Sequence, residues 1–186
     1  MDGASKSFGR IIPYALVIGL LTSTPASAAV VAAGASGFIS EHELLLPADS
    51  DKAYRALTTD IAAWWDASHS YSGKAENFSM DARAGGCFCE SLPNGGSVMH
   101  MQVVFADPGR LLRLSGGLGP LQGMGVSGSM DFVLEPAEGQ EAASTVLRYR
   151  YVVHGLAESG VGEMADAVDQ VQAGQLQRFK AYLSGK

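Results

Sequence analysis

The sequence predicts an α+β domain in which a curved sheet of seven antiparallel strands wraps around one long C-terminal helix, with two short helices after the first strand. Three observations lead there. Six strand-like runs follow one another between residues 76 and 154, joined by connectors dense in Gly, Pro, Asn and Asp, which tolerate tight turns and so imply an antiparallel meander. An apolar stripe at three- and four-residue spacing then runs from Val161 to Leu183. Ahead of both, one alternating run and two short helical stretches open the domain. The sheet must bury one face and the striped helix one side; curling the first around the second does both.

The chain of 186 residues opens on a segment that reads as a leader rather than as part of that domain. Lys6 and Arg10 give a basic start, "IIPYALVIGLLT" an apolar core, and Ala26-Ser27-Ala28 a small-x-small cleavage pattern, so residues 1–28 are expected to be a secretory signal. A membrane span needs about 20 apolar residues, more than this core has. The expected location is therefore periplasmic or secreted. Cleavage takes Lys6, Arg10 and Asp2, moving the net charge from −6 to −7 over 158 residues, the size of one domain. An acidic chain without a basic cluster is a poor match to nucleic acid or anionic membranes. Residues 29–37, "AVVAAGASG", read as a flexible lead-in, and residues 38–186 as a single domain.

Within the domain, "FISEHELLL" alternates as a strand and Pro47 ends it. "ADSDKAYRAL" starts a helix that Asp49 or Ser50 can cap. "TTDIAAWW" is a second, shorter helix capped by Thr59 or Asp60 and closing on Trp64 and Trp65. The strands "ENFSM", "CFCES", "SVMHMQVVF", "RLLRLSG", "MGVSGSMDFVLE" and "STVLRYRYVVH" follow. In the terminal helix the stripe is Val161, Met164, Ala165, Val168, Val171, Leu176, Phe179, Tyr182 and Leu183. Gly174 in its middle costs about 1 kcal/mol against alanine and suggests a bend or a close approach.

This order of elements resembles the START-like superfamily, also called SRPBCC, whose architecture is the helix-grip fold. The stretch "MDARAGGCFCESLPNGGSVMHMQVVFADPGRLLRLSG" is similar to the heat-shock-ATPase-activator-homology or polyketide-cyclase-like branch in its Gly-Gly strand entry, aromatic strand, turn, long strand and Pro-containing turn, and "AAWW" fits too. The likeness spans roughly residues 38–183. It implies an apolar cavity between sheet and terminal helix, since members bind lipids, polyketides or hormones and some cyclise or modify them. An exported chain would not meet cytosolic ATP or the chaperone that names the branch, so chaperone activation does not carry over. Fold alone does not name the guest.

Period-two alternation nominates the cavity wall. Cys87 and Cys89 share one face of their strand; Met99, Met101, Val103 and Phe105 share the more apolar face of the next, so a loop about "LPNGG" would gather Cys87, Cys89, Met99 and Met101 inward. A one-residue slip would set His100 against the cysteines instead. Three accounts of the cluster stand: free cysteines as small apolar wall, a Cu(I) site of thiolate and thioether ligands, or a strained Cys-x-Cys disulfide, strand neighbours lying about 6.5–7 Å apart. Further along, Met124, Val126, Gly128, Met130, Phe132 and Leu134 share one face, and Leu147, Tyr149, Tyr151 and Val153 another. The expected lining is Trp64, Trp65, Phe78, Met80, Cys87, Cys89, Met99, Met101, Met124, Met130, Tyr149, Tyr151, Val168 and Val171.

Catalytic signatures are thin. The sequence has no Gly-x-Ser-x-Gly elbow, no His-Glu-x-x-His and no phosphate loop, and Gly123, Gly125 and Gly128 lie in a meander strand rather than a dinucleotide site. No cofactor or resident metal is called for. Glu90 with His100 is the best acid–base pair, on adjacent strands, but alternation puts it on the outward face. The expected partner is a small apolar or amphipathic molecule, with no nucleic acid and no membrane insertion after cleavage. The expected function is to hold that molecule, or alternatively to act on it as a cyclase or hydrolase. Nothing in the sequence fixes an oligomeric state.

Overall fold

The computed structural model describes Met1, residues 29–139 and residues 143–185. The expected signal, residues 1–28, therefore lies outside the described residues apart from Met1. Eight strands form one antiparallel sheet: β1 (Ala29–Gly34), β2 (Gly37–Leu46), β3 (Phe78–Met80), β4 (Cys87–Ser91), β5 (Ser97–Asp107), β6 (Leu111–Ser115), β7 (Ser127–Pro136) and β8 (Thr145–His154). Their order across the sheet is β1-β2-β8-β7-β6-β5-β4-β3. Helices α1 (Ser50–Thr59) and α2 (Ile61–Trp64) follow β2, and α3 (Ala165–Leu183) ends the chain. Among the described residues no helix is long and apolar enough to cross a membrane.

Seven strands were expected and eight are present. The extra one is β1, in the stretch read from sequence as a flexible lead-in; it folds back at Gly34 and Gly37 and pairs along the free edge of β2. Small residues gave it no alternating pattern, yet its backbone groups pair regardless of side chain. Elsewhere the local chemistry acts as expected. Asp49 caps α1, its Oδ1 accepting the Lys52 N–H at 2.7 Å. Helix α2 is a single turn without a side-chain cap, and Trp65 already has extended backbone. Alternation holds in β7 and β8: Met130, Phe132 and Leu134, and Leu147, Tyr149, Tyr151 and Val153, are all buried. Gly128 is required there, because a Cβ would collide with the Val152 carbonyl oxygen.

Strand β5 breaks the alternation twice. Phe88 pairs with Met101 and Cys89 with Met99, leaving His100 as an extra residue, and a second irregularity falls between Val103 and Phe105. A bulge turns the side chains beyond it to the other face. As a result His100 and Met101 are both buried while Met99 and Phe105 are exposed.

The buried seam of α3 runs through Ala165, Asp169, Gln172, Leu176, Phe179 and Leu183, with Gln175 buried beside it. Its spacing is four, three, four, three, four, as one helical face requires. The stripe expected from apolar residues coincides with this seam in the C-terminal half but slides off it in the N-terminal half, where Asp169 and Gln172 take the inward positions. Val168 and Val171 stand beside the seam, half-buried, and Tyr182 is 36% exposed, its hydroxyl donating to Asp60 at 3.0 Å. Gly174 is exposed with open space around it, so the expected close approach is absent.

Candidate functional site

A cavity of about 280 Å³, open to solvent on one side, lies between the N-terminal half of α3 and the sheet, flanked by two irregular segments, residues 65–71 and 118–121. Met164, Val168 and Val171 give it an apolar wall, with the buried Gln172 among them. From the sheet comes His100.

Both loops are held from below. The segment after α2 is tied to α3 by Gln175, whose Oε1 accepts the Asp66 N–H at 2.9 Å, and by Arg178, whose Nε donates to the Trp64 carbonyl at 3.0 Å. Trp65 turns inward there, its ring 5.1 Å from Phe88 and 5.5 Å from Phe78, with Nε1 donating to the His69 carbonyl at 3.0 Å. The other segment hangs on Tyr151: the Leu118 N–H donates to its hydroxyl at 3.1 Å, and the hydroxyl donates to the Gly116 carbonyl at 3.3 Å. Burial pushes that phenol up to about 12, so it stays protonated and able to donate.

His100 sits in a cage of rings. Phe78 and Phe88 each lie 5.2 Å from it and Tyr71 stacks on it at 5.8 Å with planes 13° apart. Its Nε2 is 3.0 Å from Oε2 of Glu90, and both side chains are buried. Glu90 is fixed in turn by the Ser72 N–H, 2.6 Å from Oε1, and the Tyr71 N–H, 3.1 Å from Oε2. Burial alone would raise the Glu90 carboxyl; the hydrogen bonds from Ser72, Tyr71 and His100 outweigh it and hold the group below the usual carboxylate range. Burial lowers the His100 imidazole against the opposing pull of Glu90. The neutral ring therefore donates Nε2–H to an ionised carboxylate. Nδ1, buried, has no hydrogen-bond partner among the described residues.

The expected placement of this pair is corrected. Glu90 and Phe88 face inward, and the cysteines lie on the other face, half-buried. Cys87 and Cys89 form a disulfide with their Cα atoms 5.4 Å apart, closer than regular strand neighbours, at the point where β4 meets the bulge of β5. The free-cysteine wall is thereby overturned, and with it the Cu(I) cluster: a disulfide offers no thiolate, Met99 is exposed and Met101 is buried in the core.

Of the residues nominated for the cavity, Trp65, Val168 and Val171 line it. Trp64 turns into the core against Phe179, 5.0 Å away. Phe78 backs Trp65 and His100. Met101, Met130, Tyr149 and Tyr151 are buried core, and Met80 and Met124 pack half-buried against it. Sequence reasoning passed over Gln172, His100 as a wall residue, and both loops. For Gln172 and His100 the signal was a polar residue inside an apolar pattern, in the helix and in β5; the loops carried none.

Comparison with solved structures shows the same architecture. A structural-genomics protein from Mesorhizobium loti aligns with a TM-score of 0.58 at 16% identity over 80% of this chain and 98% of its own. One from Rhodobacter sphaeroides gives 0.55 at 17% identity, covering 84% and 97%. DynU16, a protein in the dynemicin biosynthetic locus, gives 0.53 at 17% identity, covering 78% of this chain and 47% of DynU16. No protein-family model matches the chain, and no curated protein matches it significantly. At these identities the likeness shows the fold, which is a helix-grip fold.

Proposed function

We propose that this helix-grip chain holds a small molecule with an apolar body and one polar end in the cavity beneath α3, and that it does so outside the cytoplasm. The observation that carries the proposal is the cavity itself, roofed by Val168 and Val171 and floored by Trp65 and His100. Its volume is close to the lower bound of about 300 Å³ for small-molecule sites, which suits a guest of one or two rings better than a long acyl chain. The polar end would meet Gln172, a buried polar residue of the wall. The presence of DynU16 in a biosynthetic locus supports a small-molecule guest, and the sequence likeness to the cyclase-like branch points the same way. Export is supported by the leader-like residues 1–28 and by the Cys87–Cys89 disulfide, which an oxidising compartment preserves.

Native mass spectrometry of the protein purified from its producing cells tests the first part. Bound mass released on denaturation is expected, and it should be lost in Val168→Trp, which fills the cavity. Equal bound mass in the two proteins, or none in either after soaking with anilinonaphthalene sulfonate, overturns the assignment. Cell fractionation with an intact mass tests export: the product should begin at Ala29, and a cytoplasmic product retaining residues 1–28 would refute it.

A further inference from the structure

We propose that Cys87–Cys89 is a thiol–disulfide exchange site, reached by a dithiol reductant from the outer face of the sheet, and that its redox state sets how well the cavity on the inner face holds a guest. The inference rests on the cavity being a ligand site and adds its regulation.

The two faces of β4 carry different chemistry. Outward, both cysteines are only half-buried and their cross-strand neighbours Ser79, Met99 and Gln102 are exposed, which leaves the disulfide open to a thiol from solvent. Inward, the one residue that the disulfide encloses is Phe88. Its buried ring lies 5.1 Å from Trp65 and 5.2 Å from His100, both in the cavity wall. The next inward residue, Glu90, accepts the Tyr71 and Ser72 N–H groups and so holds the end of the 65–71 segment.

The disulfide also sets the length of this strand. It draws the Cα atoms of Cys87 and Cys89 to 5.4 Å, against about 6.5–7 Å for regular strand neighbours. Opposite those two steps β5 takes three, from Met99 to Gln102, so that His100 becomes the extra residue and is buried together with Met101. The pinch and the bulge thus face each other. A β4 released to full length has room to pair Cys89 with His100. Alternation then turns the imidazole to the outer face, away from Glu90 and from the rings of Tyr71, Phe78 and Phe88. Because the link encloses a single residue, chain entropy does little to keep it closed.

The exchange balances with the dithiol alone. A thiolate of the reductant attacks one sulfur, the Cys87–Cys89 bond breaks, and the displaced cysteine leaves with the electron pair and takes a proton. The second thiolate of the reductant then attacks the mixed disulfide and frees the other cysteine. Two electrons and two protons pass to this chain, and the reductant departs as a disulfide.

Anilinonaphthalene sulfonate, titrated into the purified protein before and after dithiothreitol, reads the guest side by its fluorescence, with a thiol count to confirm reduction. Reduction should weaken binding at least about fivefold, the low end of coupling between two sites, and reoxidation should restore it. Cys87→Ser with Cys89→Ser should bind at the weak level with or without dithiothreitol. A disulfide that resists dithiothreitol in the folded protein overturns the exchange site. Equal affinities in the two redox states, or a serine variant that binds like the oxidised protein, overturn the control. Hydrogen exchange read by mass spectrometry decides the same question with no probe: on reduction, peptides holding Tyr71, Ser72 and His100 should exchange faster while β7 and β8 stay protected. Unchanged exchange at residues 71–72 overturns the coupling, and so does protection lost across the whole sheet, which would make the disulfide a plain staple. A probe that the oxidised protein does not bind, or that Val168→Trp binds equally well, removes the carrier reading instead, and the exchange rates alone then judge the link between sulfur and wall.

Discussion

Ser40 Oγ donates to Asp169 Oδ1 at 2.6 Å, and with both residues buried this bond joins the second strand to the terminal helix. His42 Nε2 lies 3.0 Å from the same carboxylate oxygen. The N-terminal half of α3 is thus anchored by polar contacts, whereas the other half adds the apolar burial of Leu176, Phe179 and Leu183 to the hydrogen bonds of Gln175 and Arg178. The cavity lies under the N-terminal half.

Truncating Asp169 removes the shared acceptor of Ser40 and His42, which keep only their own 3.3 Å contact. Asp169→Ala is expected to lose about 2–3 kcal/mol in urea unfolding, since each unsatisfied buried polar group costs about 1–3 kcal/mol. Ser40→Ala should lose about 1 kcal/mol, and the double variant less than the sum of the two, because the residues share one bond. Strict additivity would show that the Ser40–Asp169 bond contributes nothing to stability.

Acid should loosen the fold in two stages. The His100 imidazole is lowered on folding, so below about 6.5 the unfolded chain takes up a proton that the native chain refuses, and stability falls with pH until the native ring also titrates. Glu90 is lowered as well; its contribution is present above the ordinary carboxylate range and is lost as pH falls through the native value. Both slopes have the same sign. Chemical denaturation at a series of pH values should show the first slope diminished in His100→Gln, and an unchanged slope would remove His100 as its source.

The disulfide closes a very short loop, and chain entropy gives such a link only about 1–2 kcal/mol. Cys87→Ser with Cys89→Ser should therefore still fold. A thiol assay on the denatured, unreduced protein should find no free thiol and, after reduction, two; free thiols before reduction would contradict the bond. Cu(I) titration of the oxidised protein should show no uptake at these sulfurs.

Gly174→Ala should stabilise the protein by about 0.5–1 kcal/mol, because the position is exposed, helical and open around a Cβ. A thermal melt reads it directly. Destabilisation would mean that the position serves a packing partner after all.

Much of the architecture was legible because β7 and β8 are regular: with no bulge between them, Phe132 or Tyr149 could be assigned a face by counting alone. Strand β5 defeated the same count, since a bulge depends on how many residues of one strand oppose the next, which neither strand records. Glu90 and His100 were paired correctly from adjacent strands and put on the wrong face for that reason. Helix α3 was found from its apolar stripe, which leaves out Asp169 and Gln172, and the burial of Asp169 depends on a partner, Ser40, that lies far away in sequence. The 65–71 and 118–121 loops have no period to read, so the walls they build emerged only in three dimensions.

Tyr151 suspends one loop from the sheet through backbone atoms of Gly116 and Leu118, and Gln175 holds the other through the backbone of Asp66. Neither clasp inspects the side chains it carries. The segments that shape the chamber are in effect exchangeable parts on a fixed chassis: rewriting residues 67–71 and Pro120 would reshape the chamber while strand pairing stays as it is, whereas Leu121, buried in the core, and Gly119, with its positive φ, would have to stay.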